Sequence, residues 1–149
     1  MIAGTGSGCG KTTVTLAVLR AMQRRNIPLA AFKCGPDYID PMFHKAVLGI
    51  PSRNLDLFFI SEREVRGQIV RSIPQNGIGV IEGVMGFYDG VSGTTDTASA
   101  AHLARETGTP AILVVRPKGQ SLSLAAMLSG FRNFAENTLC GVILNGISD

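Results

Sequence analysis

Several features that would place a chain in a special class are missing from these 149 residues. No apolar run reaches the roughly 18 residues that a membrane-spanning helix needs. The first residues do not have the charged-then-apolar layout of a signal peptide. Lysine and arginine are dispersed along the chain, so the net charge of +3 does not imply a nucleic-acid partner. We therefore expect a cytoplasmic protein that contacts neither membrane nor nucleic acid.

Cysteine is scarce and its spacing is unsuited to a structural role. Cys9, Cys34 and Cys140 are odd in number and widely separated, and no C-x-x-C pair occurs. This spacing predicts neither a disulfide framework nor a zinc site. We expect such a chain in a reducing compartment, which agrees with the predicted cytoplasmic location. Internal repeats and low-complexity segments are also missing.

The sequence does contain an alternation of apolar runs and helical stripes. The predicted strands are residues 1–4, 27–32, 78–84, 110–115 and 140–145. The predicted helices are residues 12–25, the stretch between Ser61 and Pro74, residues 97–107 and residues 124–135. The strands are continuously apolar, which is typical of a parallel sheet covered by helices on both faces. We predict one α/β domain over residues 1–149, with a doubly wound, mostly parallel sheet and ligands at the carboxyl ends of its strands.

A glycine-rich loop, GTGSGCGKTT at residues 4–13, joins the first strand to the first helix. Its backbone N–H groups can point at phosphate oxygens, Lys11 can reach the β- and γ-phosphates, and Thr12 can ligate Mg²⁺. The strict pattern G-x-x-x-x-G-K-[ST] would place glycine where Thr5 stands, so this is a variant phosphate loop. The alternative is a glycine-rich turn with an incidental Gly-Lys-Thr, which the flanking strand and helix disfavour. The predicted nucleotide-binding residues of the loop are Gly6, Ser7, Gly8, Cys9, Gly10, Lys11, Thr12 and Thr13.

A carboxylate ends another buried strand in VIEGVMGFYDG at residues 80–90. Glu82 stands where a phosphate-loop protein needs a Mg²⁺ ligand, and Mg²⁺ prefers oxygen donors. Asp89 is a second candidate, as a metal or substrate contact. The alternative is a strand-end glutamate facing solvent before a glycine-rich turn. Three glycines could let the backbone approach a ligand closely; they are Gly83, Gly86 and Gly90.

The segment FKCGPDYIDP at residues 32–41 brings a lysine and two aspartates to the same edge. Lys33 ends the second predicted strand, where its ammonium group can neutralise a phosphate or a developing acyl phosphate. Asp37 and Asp40 can bind Mg²⁺ or orient a substrate. The alternatives are a solvated lysine and aspartates that cap the loop backbone. We interpret the segment as a turn-rich loop that also forms part of the site.

Three further polar residues lie close to this segment. For Tyr38 and His44, packing or capping is as well supported by the sequence as substrate contact. Arg53 belongs to PSRNLD at residues 51–56, which we predict to be a polar loop, and its guanidinium group can clamp a carboxylate.

Five segments together resemble one known family: GTGSGCGKTT, FKCGPDYIDP, PSRNLD, IEGVMGFYDG and GVILN. They are similar, in order and over essentially all 149 residues, to the ATP-binding synthetase domain of the cobyrinic acid a,c-diamide synthases. These are glutamine-dependent amidases of corrin biosynthesis. The resemblance implies the fold of dethiobiotin synthetase, a P-loop NTPase whose loop also has threonine at the position of Thr5.

The resemblance implies an activity and roles for the candidate residues. ATP would phosphorylate the a and c carboxylates of cobyrinic acid, with Mg²⁺ as cofactor, and ammonia would displace phosphate to leave amides. The implied catalytic residues are Lys11, Lys33, Asp37 and Asp40. The implied metal ligands are Thr12, Glu82 and Asp37. Tyr38, Arg53 and Asp89 are the substrate contacts predicted from the residues themselves, and the resemblance adds that Asn145 would contact the adenine.

The chain also departs from the family pattern. None of its cysteines has the context of a glutaminase nucleophile, so we expect a glutaminase domain in the full-length protein and a chain cut at both ends. Arg116, Pro117 and Lys118 stand where the family continues with an acidic residue. Gly6 replaces the second lysine of the partition ATPases, which argues against a dimerising switch.

Other functions stay open at this point. The same chemistry could act on another tetrapyrrole such as nickel-sirohydrochlorin. A dethiobiotin synthetase-like carboxylase is a second enzyme hypothesis, although that family lacks the GPDYID stretch. A non-catalytic ATPase switch or nucleotide-binding remnant is the third, and a homodimer is neither required nor excluded.

Overall fold

The computed structural model describes residues 1–37 and 39–147, except for the side chain of Asp40. The roles predicted for Tyr38 and for the Asp40 carboxylate therefore lie outside the described residues. The strands are β1 (Ile2–Gly4), β2 (Leu29–Cys34), β3 (Ser52–Leu55), β4 (Ile78–Glu82), β5 (Ala111–Val115) and β6 (Leu139–Leu144). The helices are α1 (Lys11–Arg24), α2 (Ile39–Leu48), α3 (Glu62–Ser72), α4 (Ala100–Thr107) and α5 (Leu122–Asn133).

The strands form one sheet in the order β3-β2-β4-β1-β5-β6, and every neighbouring pair is parallel. Crossovers therefore run through helices, as the alternation of apolar runs and helical stripes predicted. The register places Lys33 of β2 beside Glu82 of β4. This pairing brings two of the predicted site residues to the same carboxyl edge.

The central strands β2, β4, β1 and β5 are covered on both faces, which explains their apolar runs, whereas alternate residues of the edge strand β6 are exposed. One face packs around Ile2, Leu19 and Val114, with α1 against α2. The other packs around Phe32 and Leu103, with α3 against α4 and α5 alongside. The predicted doubly wound α/β architecture is confirmed.

Local signals in the sequence account for several helix ends. Ser61 accepts a hydrogen bond from the Glu64 N–H at 3.3 Å and so caps α3, as its capping-box spacing predicted. Ser99 accepts from the His102 N–H at 3.1 Å and caps α4. Gly108 ends α4 at a φ of 61°, a left-handed conformation that glycine adopts without strain.

Two segments predicted to be loops are regular elements. Residues 51–56 contribute β3, which pairs with β2, and the last three residues of FKCGPDYIDP, 39–41, begin α2. The edge strand β3 escaped prediction because it has no apolar run: Arg53 is exposed and its neighbours Ser52 and Asn54 are half-buried. Helix α2 escaped because its apolar residues do not follow one buried stripe. Ile39, Met42, Phe43 and Val47 are all exposed.

No helix in the described part of the chain is both long and apolar enough to cross a membrane. The three cysteines all fall within the described ranges and are free thiols, which agrees with the predicted lack of a disulfide framework.

Candidate functional site

The phosphate loop lies between β1 and α1 and is held by a hydrogen bond from a residue that follows the edge strand β6. Gly10 precedes the helix with a φ of 99°, where a β-carbon would run into the side-chain amide of Asn145. That amide donates a hydrogen bond to the Cys9 carbonyl at 2.9 Å. Asn145 follows β6, so the last strand helps to shape the loop. The predicted contact of Asn145 with adenine stays a prediction.

Lys11 crosses the loop to reach the segment after β4. The side chain is 8% exposed, and its ammonium group donates to the Gly6 carbonyl at 2.9 Å and to the Met85 carbonyl at 2.7 Å. Gly4 makes room for it, because a β-carbon there would press on the Lys11 stem. The charge is thus held over the loop, where it could exchange a carbonyl for a phosphate oxygen.

Glu82 is the centre of the candidate site. The residue is fully buried at the end of β4. Its Oε1 accepts hydrogen bonds from the Thr12 hydroxyl at 2.6 Å and from the Lys33 ammonium at 3.3 Å. A buried carboxylate must be paired and hydrogen-bonded to be tolerated, and this one is. The alternative of a solvent-facing glutamate is therefore wrong.

Lys33 links this carboxylate to the following helix. It is 3% exposed, donates to the Gly83 carbonyl at 3.0 Å, and lies 3.7 Å from Oδ2 of Asp37. The other oxygen of Asp37 accepts from the Ile39 N–H at 2.8 Å, at the start of α2. Asp37 therefore caps backbone with one oxygen and faces Lys33 with the other. The solvated-lysine alternative does not describe Lys33.

The oxygen atoms at this point suit a hard divalent cation. A hydroxyl and a carboxylate, from Thr12 and Glu82, meet directly below the phosphate loop. Mg²⁺ takes oxygen ligands, and phosphate oxygens usually complete its shell. The donor set therefore fits the metal that the sequence predicted.

His44 also contacts the carboxylate, and the sequence did not assign it. The imidazole is fully buried, with Nε2 3.1 Å from Oε2 of Glu82 and Nδ1 2.9 Å from the Ser52 hydroxyl. The sequence analysis missed this contact because it did not predict the helix α2, which determines where the His44 side chain lies. His44 and Leu48 are one turn apart and are both buried, so they mark the inward side of that helix.

A cavity of about 360 Å³ opens beside this cluster. It is lined by Asp37, Pro41, Met42, Lys45, Ser52 and Asn54. The buried Oδ1 of Asn54 has no hydrogen-bond partner among the described residues. A buried acceptor without a partner is unusual in a folded protein.

Cys34 lies directly after Lys33 but does not offer a thiolate. Burial raises the pKa of its thiol to about 12, and the nearby Lys33 charge offsets only part of that effect. A neutral, buried thiol acts as a small apolar side chain, so Cys34 packs beneath the site.

Two other predicted residues lie in a neighbouring cavity and a neighbouring turn. Arg53 lines a second cavity with Glu64, Gln68 and Arg71 of α3, and Asn54 borders both this cavity and the one beside Asp37. Asp89 is exposed and accepts from the Gly86 N–H at 2.7 Å, closing a turn. Their substrate contacts stay predictions.

Three glycines near Glu82 are explained by the protein's own packing. A β-carbon on Gly83 would press on Ala3 and Ala100, and one on Gly90 would collide with the Thr97 carbonyl. At Gly86 the obstacle is Asp89 itself. Close approach of a ligand is not needed to account for them.

The chain matches one family model over residues 1–149, described as the CobQ/CobB/MinD/ParA nucleotide binding domain. It is 46% identical over 149 residues to a protein named cobyrinate a,c-diamide synthase from Salmonella typhimurium, covering 99% of this chain and 32% of that protein. Its identity to proteins of the same name is 48% over 151 residues for Clostridium acetobutylicum and 47% over 148 residues for Thermoplasma volcanium. These matches cover 100% and 99% of this chain but 34% and 32% of those proteins. The chain thus spans about a third of the length of the curated relatives it matches.

Proposed function

Because the chain belongs to the CobQ/CobB/MinD/ParA nucleotide binding domain family, we propose that it is the ATP-binding domain of a cobyrinate a,c-diamide synthase. It activates the a and c carboxylates of cobyrinic acid in the cytoplasm. The observation that carries the proposal is the contact of Thr12 and Lys33 with Glu82 at the carboxyl edge of the sheet, beside the loop that Lys11 spans. The names of the relatives favour this substrate over nickel-sirohydrochlorin or a non-catalytic switch.

Phosphate binding is the first task of the site. The N–H groups of residues 6–13 and the amino end of α1 offer donors and a partial positive charge to the phosphates. Lys11 already lies across the loop on two carbonyl oxygens. It would transfer these hydrogen bonds to the β- and γ-phosphates of ATP.

Thr12 and Glu82 would hold Mg²⁺, and Asp37 is the third predicted ligand. When bound, the ion supplies charge neutralisation to the phosphates. Lys33 contributes a second, fixed charge from the protein itself. Its ammonium group is buried, so its interaction with a transferring phosphoryl group is weakly screened.

The reaction itself asks mainly for positioning. A carboxylate oxygen of the corrinoid attacks the γ-phosphorus, and the bond to the ADP oxygen breaks. This leaves an acyl phosphate and ADP. Ammonia then adds to the acyl carbon, loses a proton, and expels inorganic phosphate with the bonding electron pair. The cavity beside Asp37 and Asn54 is the proposed entrance for the carboxylate.

The ammonia would come from glutamine in another domain of the full-length protein. The relatives are about three times as long as this chain, which is compatible with such a domain. Free ammonia should replace glutamine in an assay, because the attacking species is the same.

The test is ADP release by the full-length protein with cobyrinic acid, Mg²⁺ and ammonium chloride. We expect release to depend on the corrinoid. Lys11→Ala should lower the rate by roughly 10²–10³-fold, as loss of one positioned charge does at other sites. Arg63→Ala, on the exposed side of α3, is the matched control and should behave as wild type. ADP release that ignores the corrinoid would remove the substrate assignment.

A further inference from the structure

His44 connects three elements at the point where the metal ligands meet. It lies on α2, its Nδ1 is 2.9 Å from the Ser52 hydroxyl on β3, and its Nε2 is 3.1 Å from Oε2 of Glu82 on β4. Both His44 and Glu82 are fully buried. Water therefore cannot replace the contact between His44 and Glu82 without a change in packing.

The two oxygens of Glu82 are held by different groups. Oε1 faces Thr12 and Lys33, whereas Oε2 faces His44. A rotation of the carboxylate would break contacts on both sides. The imidazole therefore helps to fix the orientation of the carboxylate plane relative to the phosphate loop.

We propose that His44 is a positioning residue that fixes the Glu82 carboxylate for binding of the metal–nucleotide complex. The inference rests on the nucleotide and metal part of the proposed function and not on the identity of the corrinoid. In this role His44 acts through Glu82 and not by direct contact with phosphate or metal, and Ser52 orients its ring. Asp37 binds the first N–H of α2, and His44 on the same helix binds Glu82. Helix α2 therefore sets the position of the Asp37 carboxylate relative to that of Glu82.

Substitution of His44 by glutamine or by asparagine tests its contact with Glu82 separately from its contact with Ser52. A glutamine side chain can place its N–H near the position of Nε2 and keep the donor to Glu82. An asparagine side chain reaches only the position of Nδ1 and loses it. His44→Gln and His44→Asn are thus matched variants that differ in the contact under test.

The measurement is Mn²⁺ binding to the full-length protein–ADP complex, followed by electron paramagnetic resonance. We expect His44→Asn to weaken Mn²⁺ binding by about 10-fold or more, the range seen when partners of metal ligands are removed. His44→Gln should stay within about 3-fold of wild type. ADP binding in EDTA should be the same in all three proteins, because the phosphate loop is intact.

Several results would overturn the inference. Wild-type Mn²⁺ binding by a folded His44→Asn variant would do so, and so would equal losses in the asparagine and glutamine variants. If His44→Asn does not fold, Ser52→Ala replaces it: we expect at least about 3-fold weaker Mn²⁺ binding, and an unchanged affinity contradicts the role. Absence of ADP binding in wild type would instead refute the proposed function.

Discussion

Replacing Glu82 by glutamine tests whether its buried carboxylate is the electrostatic partner of Lys33. The change keeps the shape and the oxygen that faces Thr12, removes the charge, and places an amide NH₂ where Oε2 now faces His44. Lys33 would remain 3% exposed with the Gly83 carbonyl at 3.0 Å and Asp37 at 3.7 Å. We therefore expect destabilisation rather than a neutral substitution.

The magnitude follows from what the lysine loses. Removing one partner of a buried ion pair costs about 3–5 kcal/mol. The second carboxylate, Asp37, remains near Lys33, so we take the lower end of about 3 kcal/mol. For a domain of this size, that corresponds to a fall in Tm of roughly 6–12 °C. Thermal unfolding followed by far-ultraviolet circular dichroism measures it directly.

A matched control and a double variant sharpen the result. Glu62→Gln changes an exposed glutamate on α3 and should alter stability by less than about 0.5 kcal/mol. Lys33→Met combined with Glu82→Gln removes both charges and should recover much of the loss. Strict additivity of the two single changes, or an unchanged Tm in Glu82→Gln, would refute the pairing.

Three further predictions concern other parts of the molecule. Asn145→Ala removes the brace on the phosphate loop, at a cost of about 1 kcal/mol, and should weaken ADP binding roughly 5-fold by titration calorimetry; unchanged affinity would contradict the brace. Iodoacetamide at neutral pH should label Cys140 and spare Cys34, whose pKa burial raises to about 12, as mass spectrometry of the folded protein will show. The hydrogen bond from Arg105 lowers the pKa of Asp96 below 3.8, so the pair stabilises the fold above that pH and this contribution disappears as pH falls through the lower folded pKa. Asp96→Asn should therefore cost up to about 1 kcal/mol at neutral pH and nothing in acid, as denaturant titrations at both pH values can establish.

The architecture was predictable because its strands and helix ends carry strong local signals. Buried parallel strands are apolar throughout, and Ser61 and Gly108 mark helix ends by their own chemistry. The elements α2 and β3 carry no such signal. Both lie toward one edge of the sheet, where exposed apolar residues on α2 and polar residues on β3 blur the expected periods.

The positions of site residues were predictable where they depend only on the residue lying at the end of a strand. Lys33 is the penultimate residue of β2 and Glu82 the last of β4, so parallel register brings them together whatever the helices do. The contact of His44 depends instead on the rotation of α2 about its axis, which an unrecognised helix cannot reveal. The position of Arg53 depends on the alternation of side chains along β3, which a loop prediction leaves undetermined.

The most direct test of the proposed function follows the oxygen atom of the substrate carboxylate. Cobyrinic acid labelled with heavy oxygen in its carboxylates is incubated with the full-length protein, ATP, Mg²⁺ and ammonia. An acyl phosphate requires that one labelled oxygen leave with phosphate, so mass spectrometry should find label in the inorganic phosphate for each amide formed. Unlabelled phosphate alongside amide product would contradict the mechanism assigned to Lys11, Lys33 and Glu82.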